Sequence, residues 1–411
     1  MKVNGIIAEY NPFHNGHKYQ LEESRRQTGA DYTIIAMSGN FMQRGAPAIL
    51  DKYKRAEMAL LNGADLILEI PSCYAASSAE FFATGAVSLL DKLGVVDYLC
   101  FGSECGKLSL LQEIADILLQ EPEEYSRALR SFLRQGYSYP MARLWALHQY
   151  APSLNNENPI MSSPNNILGI EYLKALARRH SRIIPYTTLR AGSAYHDKRL
   201  GAYQSSALAI RETIFSSQDF DLLKNQMPDS AYEIMSRSMV QSRPVQLNDF
   251  SAVLHYKLLM EYDKGYDKYL DVSSDLSDRI RKTLIQFKGF DSFCALLKSK
   301  ELTYTRINRG LLHILLNIDK DTLVAYKEMD YIPYARVLGF RREAAPLLTA
   351  IKDNSSIPFI TKLSEAEKLL DEKAYAMFQQ ELLVNNVYQS ALALKSKSDM
   401  VNEFSTPLVI I

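Results

Sequence analysis

The sequence predicts an α/β fold: a doubly wound parallel sheet followed by a mainly α-helical C-terminal domain. Short continuous apolar runs alternate with amphipathic helical patterns over the first part of the chain. Those runs are uninterrupted rather than alternating, as expected for strands buried on both faces of a parallel sheet. From about residue 220 the helical periodicity continues with little strand signal, which places a domain boundary between 1–220 and 221–411.

The expected strands run from Val3 to Ala8, Tyr32 to Met37, Asp65 to Ile70 and Asp97 to Phe101. Each stops at a turn-forming segment: Asn11-Pro12, Ser38-Gly39-Asn40, Pro71-Ser72 and Gly102-Ser103. Helical patterns fill the intervals at about His17 to Gln27, Asp51 to Asn62, Ser78 to Leu93 and Leu108 to Leu119. Asp51 is placed to cap the second helix and Gly63 to end it. After an Asn-, Pro- and Ser-rich loop from Ala151 to Pro164 come a helix (Ile167 to Arg178), a strand (Ile183 to Thr188) and a helix (Ser206 to Phe215). The C-terminal helices are expected at Asp249 to Met260, Leu276 to Phe287, Asp291 to Leu297, Thr305 to Leu316, Glu343 to Lys352 and Leu363 to Ala393.

Composition narrows the class. The 411 residues carry 47 Lys plus Arg against 47 Asp plus Glu, so no global charge draws the chain to nucleic acid or anionic membrane. No apolar run is long enough for a signal peptide or a membrane span. Cys73, Cys100, Cys105 and Cys294 have no metal-binding spacing and read as reduced thiols, which points to a cytoplasmic protein.

The chemistry concentrates in Glu9-Tyr10-Asn11-Pro12-Phe13-His14-Asn15-Gly16-His17, after the first strand and at the start of the first helix. Ligands of doubly wound sheets bind beyond the carboxyl ends of the strands. Two imidazoles and the free N–H groups of a helix N-terminus supply the donors that an in-line transition state at the α-phosphate of ATP requires. Gly16 leaves room for a close backbone approach.

These residues, with Met37-Ser38-Gly39-Asn40-Phe41-Met42-Gln43-Arg44-Gly45, resemble the bacterial tRNA(Met) cytidine acetate ligase family of the HxGH nucleotidyltransferase superfamily. Similar segments are Gly63 to Pro71, Phe101 to Glu104, Ser163 to Gly169, Tyr304-Thr305-Arg306 through Arg309, and Tyr334 to Phe340, so the resemblance spans nearly the whole chain. It implies a nucleotidyltransferase-like fold and a two-step reaction. Acetate attacks the α-phosphate of ATP, and the wobble cytidine of elongator tRNA(Met) then takes the acetyl group as N4-acetylcytidine. The resemblance also implies His14 and His17 as catalytic groups. ATP contacts would come from Ile7, Ala8, Glu9, Tyr10, Asn11, Pro12, Phe13, His14, Asn15, Gly16, His17, Lys18, Tyr19, Gln20, Gly102, Asn165 and Arg190. Magnesium is expected with the triphosphate.

Ser206-Ala207-Leu208-Ala209-Ile210-Arg211 resembles the superfamily's Ser-x-x-x-Ile-Arg phosphate element, with Leu208 where Thr is common; Ser206 and Arg211 are therefore candidate phosphate ligands. Arg44 could clamp phosphate or tRNA, or pair with Asp51. Ser38-Gly39-Asn40 should face the pocket, while Asp65 and Glu69 fit a buried structural pair as well as a catalytic one. His196-Asp197 reads as a surface turn, and His148, His180, His255 and His313 as structural. Local basic clusters, with Arg44, Arg306, Arg309 and Arg336 as candidates, would bind the tRNA. Two other readings use the same motifs: an adenylyltransferase for a small phosphorylated metabolite, and a protein that binds ATP without turnover.

Overall fold

A computed structural model describes residues 1–156, 160–190, 205–217, 220–299 and 301–411. His196 and Asp197 lie outside the described residues. The first strand, β1 (Val3–Ala8), leads into helix α1 (Asn15–Thr28) and strand β2 (Tyr32–Ser38). Helix α2 (Lys52–Leu61) follows, capped by Asp51, whose carboxylate accepts the N–H groups of Tyr53 and Lys54; Gly63 ends it with a φ of 108°. Next come β3 (Leu66–Ile70), α3 (Ala79–Lys92), β4 (Tyr98–Ser103), α4 (Leu108–Gln120), α5 (Pro164–Arg178), β5 (Ile184–Leu189) and α6 (Ala207–Ser216). The second half contributes α7 (Tyr304–Leu316), β6 (Ala335–Phe340), β7 (Phe359–Ile360), α8 (Glu372–Ser396) and β8 (Val409–Ile410).

Among the described residues the central sheet has the order β8-β6-β3-β2-β1-β4-β5, with β7 beside β6. Strands β1 to β5 are mutually parallel where they pair. Alternate side chains bury on opposite faces. Val3, Ile7, Ile34, Ala36, Leu66 and Leu68 join one core with α3 and α5, and Ile6, Ile35, Met37 and Ile67 join the other with α1 and α2. Both faces are dry, which is why these strands read as continuous apolar runs.

Strand order reverses at β1, the topological switch point. There β1 pairs with β4 only at Asn4–Tyr98 and Gly5–Leu99, whereas it pairs with β2 along all of Val3 to Ala8. Beyond Gly5 the two strands part toward their carboxyl ends, opening a crevice.

The second half departs from the helical expectation. Residues Ala335–Phe340 form a strand that runs antiparallel to β3 and carries β8 on its outer edge. Helices at Glu123–Arg134, Tyr139–Tyr150, Asp229–Gln241 and Lys320–Glu328 add to those expected. The single periodic stretch from Leu363 breaks before α8, where Asp371 caps a new helix by accepting the Ala374 N–H. No helix of the described residues is long and apolar enough to cross a membrane.

Strand β6 is held by charge. Arg336, only 1% exposed, pairs with Glu69 of β3 at 3.0 Å and with Glu403 at 2.6 Å. Lys52 of α2 pairs with the same two carboxylates, at 2.8 Å to Glu69. Lys52 and Arg336 hold Glu403 below the usual carboxylate range even though burial opposes this. Arg336, a candidate tRNA contact by its sequence, is therefore unavailable to an RNA, because its guanidinium is spent inside the protein. Arg336→Met leaves buried carboxylates short of a counter-charge and should cost about 3–5 kcal/mol, read as a lower urea midpoint.

Candidate functional site

The loop after β1 is pinned before it reaches the first helix. Arg55 of α2 is fully buried and donates to the carbonyls of Glu9 (2.7 Å), Ser38 (3.1 Å), Leu50 (3.1 Å) and Gly39. The Asn11 side chain accepts the Ile49 N–H at 3.0 Å. Tyr10 takes a left-handed φ of 48° and turns its ring under His17, with ring centroids 4.8 Å apart.

His14 and His17 cap α1 reciprocally. The Gly16 N–H donates to His14 Nδ1 at 3.0 Å, and the His14 N–H donates to His17 Nδ1 at 3.3 Å. The rings stack with centroids 3.7 Å apart. A Cβ on Gly16 would stand 2.9 Å from His14 Cε1, so this glycine makes room for the imidazole rather than for a ligand. With both Nδ1 atoms accepting, a neutral ring carries its proton on Nε2, which leaves each histidine one outward donor. Burial, reinforced by Arg190 and Arg211, lowers the His14 pKa to about 3. Burial, His14 and Arg190 push that of His17 well below its ordinary value.

Both rings line a cavity of about 560 Å³ in the crevice between β1 and β4. Ile7, Ala8, Glu9, Tyr10, Asn11, Gln20, Gly102, Asn165, Arg190, Ser206, Arg211 and Arg44 line it too. Arg190 follows β5 and donates to Asn165 Oδ1 at 3.4 Å. Asn165 is held in turn by Glu104, which accepts its Nδ2 at 2.7 Å and the Asn166 N–H at 2.8 Å. Ser206 caps α6 by accepting the Ala209 N–H, and Arg211 donates to the Asn11 carbonyl at 2.6 Å, which ties this helix to the histidine loop. Imidazole donors, a helix N-terminus and the guanidinium groups of Arg190, Arg211 and Arg44 thus converge on one cavity, an arrangement suited to a polyphosphate.

Other sequence candidates sit elsewhere. Pro12, Phe13, Asn15, Gly16, Lys18 and Tyr19 are not in the cavity lining. Phe13 is core, Asn15 donates to the Asn225 and Gln226 carbonyls, and half-buried Lys18 faces Glu22 at 3.9 Å. Ser38-Gly39-Asn40 does not face the pocket: the Ser38 and Gly39 carbonyls serve Arg55, and the Asn40 side chain bonds Asn385 and the Lys52 N–H. Asp65 pairs with Arg25 and Glu69 with Lys52 and Arg336, so both acids are structural. Arg306 is exposed on α7, whereas Arg309 is paired with Asp271 at 2.7 Å. Buried His313 lies between the carbonyls of Leu270 and Ala76.

Several lining residues escaped the sequence reading: Phe82, Phe101, Leu168 and Tyr172 on one side, and Asp291 and Asn308 from the second half. Asn165, Leu168 and Tyr172 share one face of α5, a stripe recoverable from helical spacing once Asn165 is suspected. Asp291 and Asn308 had no such signal.

Residues 1–403 match the family HIGH Nucleotidyl Transferase. The chain is 44% identical to the tRNA(Met) cytidine acetate ligase of Thermoanaerobacter sp. (strain X514), with 100% of both chains covered. It is 42% identical to that of Caldanaerobacter subterraneus subsp. tengcongensis, again over 100% of both. The crystal structure of apo Thermotoga maritima TmcAL matches it with a TM-score of 0.92 at 32% identity, covering 100% of each chain. The same protein bound with alpha-thio ATP matches with a TM-score of 0.89 at 32% identity over 100% of each chain. The chain belongs to the tRNA(Met) cytidine acetate ligase family. For this member of the ligase family, the paired histidines stand at the switch point where the nucleotidyltransferase fold places its ligand.

Because both imidazoles are held neutral, their ring signals in the ligand-free ligase should not titrate between about pH 5 and 8 by NMR. A midpoint near the ordinary histidine value for either ring would contradict the capping geometry.

Proposed function

We propose that the chain activates acetate with ATP and acetylates the wobble cytidine of elongator tRNA(Met) to N4-acetylcytidine, as a cytoplasmic enzyme. The observation that carries the first step is the reciprocal imidazole cap, with two neutral donors lining a cavity that also holds Arg190 and Arg211. A carboxylate of acetate attacks the α-phosphate in line. Charge gathers on the phosphate oxygens, and fixed Nε2–H groups with Arg190 and Arg211 stabilise it without reorganising. Ser206 and the N-terminus of α6 are positioned for the departing pyrophosphate. Among the described residues no three His, Cys, Asp or Glu side chains gather as a metal cage. The expected magnesium would be held mainly by the nucleotide's own phosphates and by water.

In the same reading, residues 1–220 carry the activation chemistry and residues 221–411 contribute to tRNA binding, with exposed Arg306 as a candidate contact there and cavity-lining Arg44 as one from the first part. An adenylyltransferase acting on a small phosphorylated metabolite leaves unused the full-length likeness to relatives whose names specify acetate and tRNA(Met).

The test is acetate-dependent ATP–pyrophosphate exchange, followed by mass analysis of nucleosides from elongator tRNA(Met). Exchange that needs a phosphorylated metabolite instead of acetate, or tRNA that stays unacetylated, would sink the reading. His17→Ala should lower exchange about 10²–10³-fold while thermal unfolding is largely retained. Arg306→Glu should weaken tRNA binding and leave exchange at the wild-type rate, measured by filter binding and exchange in parallel. Loss of both together would remove Arg306 from the RNA surface.

A further inference from the structure

Glu9 poses an electrostatic puzzle. It lines the same cavity as His14, His17, Arg190 and Arg211, yet a carboxylate repels both a triphosphate and an acetate ion. Its Oε1 is committed, accepting the Gln43 N–H at 2.7 Å. Its Oε2 has no hydrogen-bond partner among the described residues. The Glu9 backbone is locked by Arg55, and the ribbon bearing Gln43 (Phe41–Met42 paired with Ala46–Pro47) is braced against α7. At the tip of that ribbon Gly45 has a φ of 73°, and a Cβ there would meet Arg309 N at 2.5 Å. The carboxylate is thus held in place with one oxygen satisfied and one available.

Its surroundings are aromatic. Phe82, Phe101, Leu168 and Tyr172 line the cavity and are largely buried. Phe101 and Tyr172 meet edge-on at 5.7 Å, and Phe101 packs so tightly on α5 that a Cβ at Gly169 would fall 2.6 Å from its ring. The Tyr172 hydroxyl has its proton retained by burial and by the nearby Glu9 charge. Such walls suit the flat face of an unstacked base, and a carboxylate at their edge suits a base whose edge donates. Cytosine presents an N4 amine there, whereas uracil presents an acceptor oxygen that a carboxylate rejects.

We propose that the Phe82, Phe101, Leu168 and Tyr172 side of the cavity receives the extruded cytosine, and that Glu9 Oε2 accepts an N–H of its N4 amine. This rests on the acetyl-transfer reading above. In the transfer step the N4 lone pair forms the new N–C bond to the acetyl carbon. The bond from that carbon to the adenylate oxygen breaks, and AMP leaves with its electron pair. One amine proton passes to Glu9 Oε2 and from there to water.

The experiment separates the two half-reactions in the full-length enzyme. Glu9→Gln keeps an oxygen for the Gln43 N–H but can turn an amide N–H toward the amine. It should lower acetyl transfer to tRNA about a hundredfold or more, and at least tenfold more than it lowers acetate-dependent ATP–pyrophosphate exchange. Glu9→Asp should restore part of the transfer. A parallel fall of exchange and transfer would assign Glu9 to the nucleotide, and undiminished transfer would remove it from the reaction; either overturns the proposal. A binding measurement on the wild type does not depend on the variant folding. An anticodon stem–loop with cytidine at the wobble position should bind about tenfold more tightly than one with uridine. Equal affinities overturn the proposal. If the acetylation reading itself were wrong, wild-type enzyme would show no acetate-dependent exchange, which is seen before any variant is made.

Discussion

Arg55 is a guanidinium taken entirely out of water and given carbonyl oxygens in its place. Four of them, from Glu9, Ser38, Gly39 and Leu50, belong to the chain just beyond β1 and β2 and to the approach to α2. Desolvation makes an unsatisfied charge there very costly, so every one of those carbonyls is drawn to a fixed place. The turn through Tyr10 and Asn11 is built on that anchor, and the histidine pair on that turn. Three residues earlier on the same helix, Lys52 reaches Glu69 and Glu403. One face of α2 therefore joins the histidine loop to the far end of the chain.

The two halves of the chain are joined by polar contacts. Besides the Lys52, Glu69, Arg336 and Glu403 cluster, Glu381 of α8 accepts the Ser72 N–H at 2.6 Å, the Asn40 side chain donates to Asn385, and the Tyr388 hydroxyl donates to the Ala48 carbonyl. Burial, with the Glu69 charge, raises the Glu381 pKa above the usual carboxylate range. Asn308 and Asp291 reach the cavity from the second half.

Much of the fold was legible because parallel strands and amphipathic helices have different periods. The first strands and helices appear at nearly their expected bounds, and Asp51 and Gly63 cap and end α2 as their chemistry suggests. Strand β6 was not legible. Its sequence, Ala335-Arg336-Val337-Leu338-Gly339-Phe340, places a full charge mid-strand, which reads as surface until Glu69 and Glu403 are seen beside it. Ser38-Gly39-Asn40 has the composition of a ligand turn, but its polar groups are claimed by Arg55, Lys52 and Asn385.

Sequence alone located the histidine pair, after the first strand and at the start of the first helix. The structure added that the two imidazoles cap that helix reciprocally, so its first N–H groups serve the rings. Tertiary structure decided which charges line the cavity and which are buried struts. Arg190 and Arg211 line the cavity, Arg55 and Arg336 are buried struts, and Arg309 is tied to Asp271. A cation's role depends on the nearest counter-charge or carbonyl, and here those partners come from remote parts of the chain.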